Sequence, residues 1–334
     1  MKILVENSTW NNIGDGFYQS SLYSLIKQMY PNDDVLMEEG PMNRAFRPKI
    51  ARQKDNFFNL MSFQTADVHV FSGPMIPQLL NNYKQKIIDI KSRGADYMLI
   101  SVSGAGVQEG FRQELGAFLK KYPPILFSSR DEETYSKFKE FVPESYNGIC
   151  TAFIVNRMLP VDEFKPKTPF FISSFYSELE PIFKTNGPVI LENVSLERKN
   201  TYLNLSHNIS RHLNFLRPQQ VMLDTHQIVR VHQDLSTHFY HIKFSHPNSF
   251  MSFNLLSYLA MYKSADFTIS DRVHSCAVSL AFGKPARLFT KSPRAGIFDR
   301  LGFDYKSNGG IIKPNLDVID VELDKLKVKI KSVL

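Results

Sequence analysis

The chain is 334 residues long, more than one ordinary hydrophobic core holds, and suits two α/β domains of about 150 residues each. With 43% hydrophobic and 22% charged residues, and no apolar run near the roughly 18 residues that cross a bilayer, the composition is that of a globular protein and excludes an integral membrane span. Forty basic against thirty-three acidic side chains leave a net charge of +7, a balance that draws anionic substrates, nucleic acid or anionic lipid; without a Lys/Arg tract, zinc-finger spacing or aromatic RNA-binding signature, nucleic acid falls away as a partner.

Strand-like sequence begins at once with Ile3-Leu4-Val5, with no charged head, apolar run and cleavage site of a signal peptide, which places the protein in the cytoplasm. A polar turn follows, Asn11-Asn12-Ile13-Gly14-Asp15-Gly16, and then Leu22, Leu25, Ile26 and Met29 recur at helical spacing until Pro31. Two further strands end in small-residue loops: Ala66 to Phe71 runs into Ser72-Gly73-Pro74, and Tyr97 to Val102 into Ser103-Gly104-Ala105-Gly106. Pro124 to Ser129, followed by Arg130-Asp131, repeats the pattern, and Gly148 to Val155 reads as the last strand of this half. Alternation of strand and helix predicts a doubly wound domain over 1–158.

Three prolines among mixed charges mark 159–169 as a linker. Beyond it, Thr201 to Ser206, Gln227 to His232 and Phe239 to Phe244 read as strands, Leu255 to Lys263 as a helix, and Asp266 to Asp271 as a strand entering the turn Arg272-Val273-His274. The helix after that turn closes at Gly283 with Pro285 just beyond, and Ala286 to Thr290 is the next strand. The region 170–334 is therefore a second α/β domain, and the two face each other across a cleft. Its tail, Val321 to Leu334, places lysines among apolar residues and reads as a terminal helix or strand with a solvated face, or as a segment that touches a membrane surface.

The turn at Arg272 and His274 is the strongest chemical signal. A strand-to-helix turn presents free backbone N–H groups and the positive end of the helix dipole at the carboxyl edge of a parallel sheet. A permanent guanidinium and a titratable imidazole there suit anion binding and proton movement. Lys291 and Arg294, after the next strand, are expected at the same edge to complete an anion pocket. In the first half, Gly14 permits close approach of a ligand while Asp15 serves either as a base or as a helix cap. His226, His232, His238, His241 and His246 match no zinc template, so no metal is expected. Cys150 and Cys276 have the flanks of free, buried thiols.

Taken in order, Asn12-Ile13-Gly14-Asp15, Ala66-Asp67-Val68-His69-Val70-Phe71-Ser72-Gly73, Ser129-Arg130-Asp131, and Ala265 to His274 with Ala281-Phe282-Gly283-Lys284-Pro285 resemble the polysaccharide pyruvyl transferase family. The Arg-x-His block with its small-residue helix is the specific piece; the loop often read Gly-Gly-Gly in the family is Ser72-Gly73-Pro74 here. The resemblance implies two Rossmann-like domains arranged as in GT-B glycosyltransferases, the first on the acceptor side and the second on the donor side. It implies transfer of the pyruvyl group of phosphoenolpyruvate to a sugar, giving a pyruvate ketal in exopolysaccharide or cell-surface glycan synthesis, with no cofactor beyond phosphoenolpyruvate as co-substrate. On that basis His274 is the acid/base, Arg272 the clamp for donor carboxylate or phosphate, and Ser275, Lys291 and Arg294 further donor ligands. Asp15 activates or orients an acceptor hydroxyl, and Asn12, Gly14, Ser72 and Gly73 line the acceptor side. The acceptor's carrier, a lipid among the options, and a peripheral association with the inner face of the membrane stay open. A GT-B-type glycosyltransferase using a nucleotide sugar is the rival reading, and a non-catalytic sugar-binding partner a third.

Overall fold

A computed structural model describes residues 1–7, 10, 12–39, 63–175, 181–197, 220–233, 247–306 and 309–334. The described chain divides into two compact units: Met1–Pro160 with Lys291–Phe303 and Leu316–Leu334, and Val161–Thr290 with Asp304–Asn315. Among the described residues no helix is long and apolar enough to cross a membrane.

In the first unit β1 (Lys2–Asn7), α1 (Ile13–Met29), β2 (Asp34–Glu39), β3 (Val68–Gly73), α2 (Lys84–Ser92), β4 (Asp96–Val102), α3 (Glu109–Lys121), β5 (Leu126–Ser129), α4 (Glu132–Phe138), β6 (Ser145–Asn147) and α5 (Val155–Met158) follow in order. The strands lie in the order β2-β1-β3-β4-β5-β6, every pair parallel. β3 and β5 are buried at every residue, as near-continuous apolar runs covered on both faces must be. Pleating sends Phe71, Leu99 and Phe127 to one face, where they pack with Tyr83, Ile87 and Ile90 from the α2 side and Leu115 and Leu119 from α3. The chain leaves β1 toward β2 on one side and returns to β3 on the other. Their carboxyl ends therefore flank a topological switch point, the usual ligand position in an open α/β sheet.

In the second unit the strands β7 (Phe170–Ser174), β8 (Ile182–Thr185), β9 (Val194–Glu197), β10 (Met222–Leu223), β11 (His226–Val231), β12 (Ser249–Phe250), β13 (Thr268–Ser270), β14 (Ala286–Leu288) and β15 (Ile311–Ile312) accompany α6 (Leu255–Ser264) and α7 (Val273–Ala281). The sheet runs β10-β11-β7-β13-β14-β15 with β12 beside β11, and β8 and β9 form a separate antiparallel pair. Its centre, β11-β7-β13-β14, is parallel. Phe171 stacks on Phe267 at 4.7 Å between centroids, and both pack with Phe183, Val194, Ile228 and Ile269. Here the switch point lies between β7 and β13.

Two expectations differ from this architecture. The segment read as a strand over Gly148 to Val155 is instead a 3-10 turn (Thr151–Ile154) leading into α5, and the strand is Ser145–Asn147. The run is buried throughout, and burial on all sides suits either geometry. Its polar groups bond to side chains rather than to a ladder: the Thr151 N–H donates to Ser101 Oγ and its hydroxyl to the Tyr18 carbonyl. The second difference is that residues 291–303 and 316–334 belong to the first unit, so the chain crosses back rather than staying in a domain over 170–334. The returning segments contribute α8 (Gly296–Asp299) and α9 (Leu316–Lys331). In α9 the buried Ile319, Leu323, Leu326 and Ile330 recur at helical spacing. Arg157 grips Asp320 through two bonds of 2.9 and 2.7 Å, Glu322 accepts from Tyr146 and Arg300, and Lys329 pairs with Glu144. Residues read as strands at 201–206 and 239–244 lie outside the described residues.

Candidate functional site

The carboxyl edge of the second sheet carries Arg272 and His274. Ser270 ends β13, Arg272 is the N-cap of α7 with extended backbone, φ −93° and ψ 119°, and its side chain makes no capping hydrogen bond. Helix N-caps are ordinarily Ser, Thr, Asp or Asn, whose oxygen accepts from the first turn. Arginine has no acceptor to offer, so the positive end of α7 carries a second positive group in place of a capping acceptor. Arg272 is 8% exposed, and His274, half-buried, sits in the first turn of α7.

A chain of buried hydroxyls holds this turn. The Arg272 N–H donates to Ser270 Oγ at 2.9 Å, and the Ser270 hydroxyl donates to the Ser174 carbonyl at the end of β7. Ser275 Oγ accepts from Gln233 Nε2 at 2.9 Å and from the Tyr262 hydroxyl at 3.0 Å, and donates to Ser174 Oγ at 3.4 Å. Ser174 passes its own proton to the Val231 carbonyl. Burial pushes the Tyr262 phenol well above its ordinary range, against the pull of its bonds to Ser275 and Ser174 and of the nearby Arg272 charge, so it stays a proton donor. Ser275 was expected to bind the donor; its side chain is fully buried with both lone pairs and its proton engaged. These bonds tie the side chain to β7, Gln233 and Tyr262, while its backbone N–H lies in the first turn of α7.

At the carboxyl edge of the first sheet the Asn12 side chain caps α1, its Oδ1 accepting from Gly14 N at 3.1 Å, while Asp15 lies in the first turn. The cap is therefore Asn12, and Asp15 complements the helix dipole. Gly73 ends β3 at φ +87° against the phenol end of Tyr18, so α1 packs on the end of β3 beside the switch point. Ser72 Oγ is wholly buried and has no partner among the described residues. At the end of β4, Ser101 adopts a left-handed backbone, φ 58°, uncommon for a residue with a side chain.

Arg130, quoted above only as part of a motif, is a residue that sequence reasoning assigned no role. It follows β5, is 1% exposed, lies 5.8 Å over the Tyr18 ring and donates to Cys150 Sγ at 3.8 Å. A guanidinium buried at a parallel sheet's carboxyl edge is an uncommon placement, held here against the Tyr18 ring and Cys150. Asp131 beside it caps α4 through Thr134 N at 2.8 Å. Lys291 and Arg294 were expected with Arg272. They are exposed and lie in the first unit, Arg294 on the turn Pro293–Ala295 and Lys291 just before it.

Among the described residues no group of three or more His, Cys, Asp or Glu side chains could hold a metal ion. His226 pairs with Asp266 at 3.2 Å at the amino ends of β11 and β13, away from the Arg272 turn, and His238, His241 and His246 lie outside the described residues. Cys150 and Cys276 are free and buried.

The family model of polysaccharide pyruvyl transferases matches residues 12–293. No curated protein matches the sequence. Among solved structures, the UDP-GlcNAc 2-epimerase of Neisseria meningitidis bound to UDP-GlcNAc is similar at TM-score 0.52 and 9% identity, covering 98% of this chain and 99% of that one. The S. aureus MnaA structure with UDP aligns at TM-score 0.51 and 10% identity over 88% of this chain and 80% of that one, and a putative UDP-N-acetylglucosamine 2-epimerase of Listeria monocytogenes at 0.51 and 8% over 93% and 90%. At such identities the likeness is one of fold, a GT-B-like pair of α/β units.

Proposed function

The chain belongs to the polysaccharide pyruvyl transferase family, and we propose that it transfers the pyruvyl group of phosphoenolpyruvate to two hydroxyls of one sugar, forming a cyclic pyruvate ketal in glycan synthesis. The observation that carries the reading is Arg272 standing as an N-cap without a capping bond at the positive end of α7, with His274 two positions on in the first turn. A donor with two anionic groups needs such a pole, with fixed N–H groups and a guanidinium for its carboxylate or phosphate.

The chemistry requires protonation of the donor's methylene carbon, which becomes the methyl group, and attack by two sugar hydroxyls on the adjacent carbon as the C–O bond to phosphate breaks. One hydroxyl proton in effect replaces that delivered to carbon, and the other leaves with phosphate. His274 is the group placed to move these protons, and Arg272 to neutralise charge on the donor. Asp15, with Asn12, Gly14, Ser72 and Gly73 around the first unit's switch point, is assigned to the acceptor. Ser275 is assigned to the turn through its side chain, and Arg130, Lys291 and Arg294 are cations of the first unit.

Release of inorganic phosphate from phosphoenolpyruvate, dependent on a sugar acceptor and accompanied by an acid-labile pyruvate on the product, tests the proposal. A second reading draws on the fold alone: related structures were solved with UDP or UDP-GlcNAc, which favours a nucleotide-sugar donor on this scaffold. Turnover of a nucleotide sugar with indifference to phosphoenolpyruvate would establish that reading and retire the first.

A further inference from the structure

The buried bonds behind α7 have a direction. The single amide nitrogen of Gln233, 1% exposed at the carboxyl end of β11, donates both its protons, to Tyr262 Oη at 2.7 Å and to Ser275 Oγ at 2.9 Å. Tyr262 donates onward to Ser275, Ser275 to Ser174, and Ser174 to a backbone carbonyl. The Tyr262 hydroxyl also bonds with Ser174, so its one proton is shared between two serines that both lead to the Val231 carbonyl, and Gln233 is where the path starts. Tyr262 belongs to α6 and Ser275 to α7, so the path ties two helices and two strand ends to the residue adjoining His274.

We propose that Gln233 and Tyr262 are positioning residues for the Arg272–His274 turn, setting the donor site's geometry through Ser275 without touching the donor. The role deepens the function proposed above and rests on it for its catalytic consequence, though the network exists whatever the donor is. A fully satisfied buried network rigidifies what it connects, and a misplacement of about 1 Å at a reacting group costs on the order of a hundredfold in rate. Leucine at 233 keeps the volume and removes both donors, leaving the Ser275 and Tyr262 hydroxyls to reorient.

The test uses the full chain with Gln233→Leu, Tyr262→Phe, Ser275→Ala and the Gln233→Leu/Ser275→Ala double variant. It reads phosphoenolpyruvate affinity by calorimetry, kcat and KM, and amide hydrogen exchange of residues 272–276 against those of β7 and β13. Gln233→Leu is expected to weaken donor binding about tenfold and to speed exchange at 272–276 while β7 and β13 stay protected; Tyr262→Phe is expected to do the same more weakly. Because Gln233 acts through Ser275, the double variant should lose no more than the worse single one. Wild-type donor affinity with unchanged exchange in Gln233→Leu overturns the proposal, as do losses that multiply in the double variant. If Gln233→Leu does not fold, Tyr262→Phe alone decides by the same two readouts. A wild-type protein that binds no phosphoenolpyruvate would refute the proposed function, and the exchange measurement would still judge the network.

Discussion

A methyl group on Gly73 would stand 2.3 Å from the hydroxyl oxygen of Tyr18 and 2.6 Å from its ring carbon Cζ. The glycine also holds φ at +87°, where any other residue is strained. Clash and strain act together, so Gly73→Ala should destabilise the first unit by about 2 kcal/mol or more, read from the denaturant midpoint of the folded chain. A change below about 0.5 kcal/mol would show that α1 does not sit on this loop as described.

His69 lies on β3 with neither ring nitrogen bonded among the described residues. Burial, aided by the charges of Lys86 and Arg93, pushes its pKa down to about 3. The sign follows from linkage. The unfolded chain takes up a proton near the ordinary 6.5 and the folded one does not, so this contribution to stability is complete above 6.5 and is lost as the pH falls from there toward 3. His69→Leu should flatten the stability profile between pH 6 and 4 by about 1.4 kcal/mol per pH unit, measured by denaturant titration at each pH. Parallel profiles would contradict the assignment.

Glu322 anchors α9 on the first unit, accepting from Tyr146 and pairing with Arg300 and Lys325. Burial alone would raise its carboxyl pKa, but the Lys325 bond, the Arg300 and Lys325 charges and the Tyr146 hydroxyl together hold it below the ordinary 4.5. Its contribution is present above 4.5 and fades as the pH falls through the lowered value. Glu322→Ala, which leaves partly buried donors unmatched, should cost roughly 2 kcal/mol at neutral pH and expose α9 to hydrogen exchange. Unchanged protection of 316–331 would mean that the apolar face of α9 carries the docking alone.

For His274 the account requires a catalytic loss. His274→Ala should reduce pyruvyl transfer at least about a hundredfold, the usual contribution of general acid or base catalysis, with phosphoenolpyruvate affinity far less affected. Retention of more than about a tenth of wild-type turnover would remove His274 from proton transfer.

What the sequence made legible, it made legible locally. The strand from Asp266, the turn at Arg272 and the helix ending before Gly283 are marked by a short apolar run and by Gly and Pro punctuation, and all three stand in the structure. Arg130 escaped because a charge after a strand reads as solvated; only its burial against Tyr18 and Cys150, distant in sequence, sets it apart. Gln233 escaped for the same reason, its partners lying 29 and 42 positions away. The return of 291–303 to the first unit left no compositional trace, because the crossings are short and Lys291-Ser292-Pro293 looks like any loop after a strand. The buried run 148–155 offered no periodicity from which to tell a strand from a turn.

Whether Arg272 grips the anionic end of phosphoenolpyruvate is read by calorimetric titration of phosphoenolpyruvate, and of a panel of nucleotide sugars, into wild type and Arg272→Ala. Saturable phosphoenolpyruvate binding to wild type is expected, weakened roughly thirtyfold or more in Arg272→Ala, with no comparable nucleotide-sugar binding. Equal phosphoenolpyruvate affinity in the two proteins, or nucleotide-sugar binding without phosphoenolpyruvate binding, would contradict it.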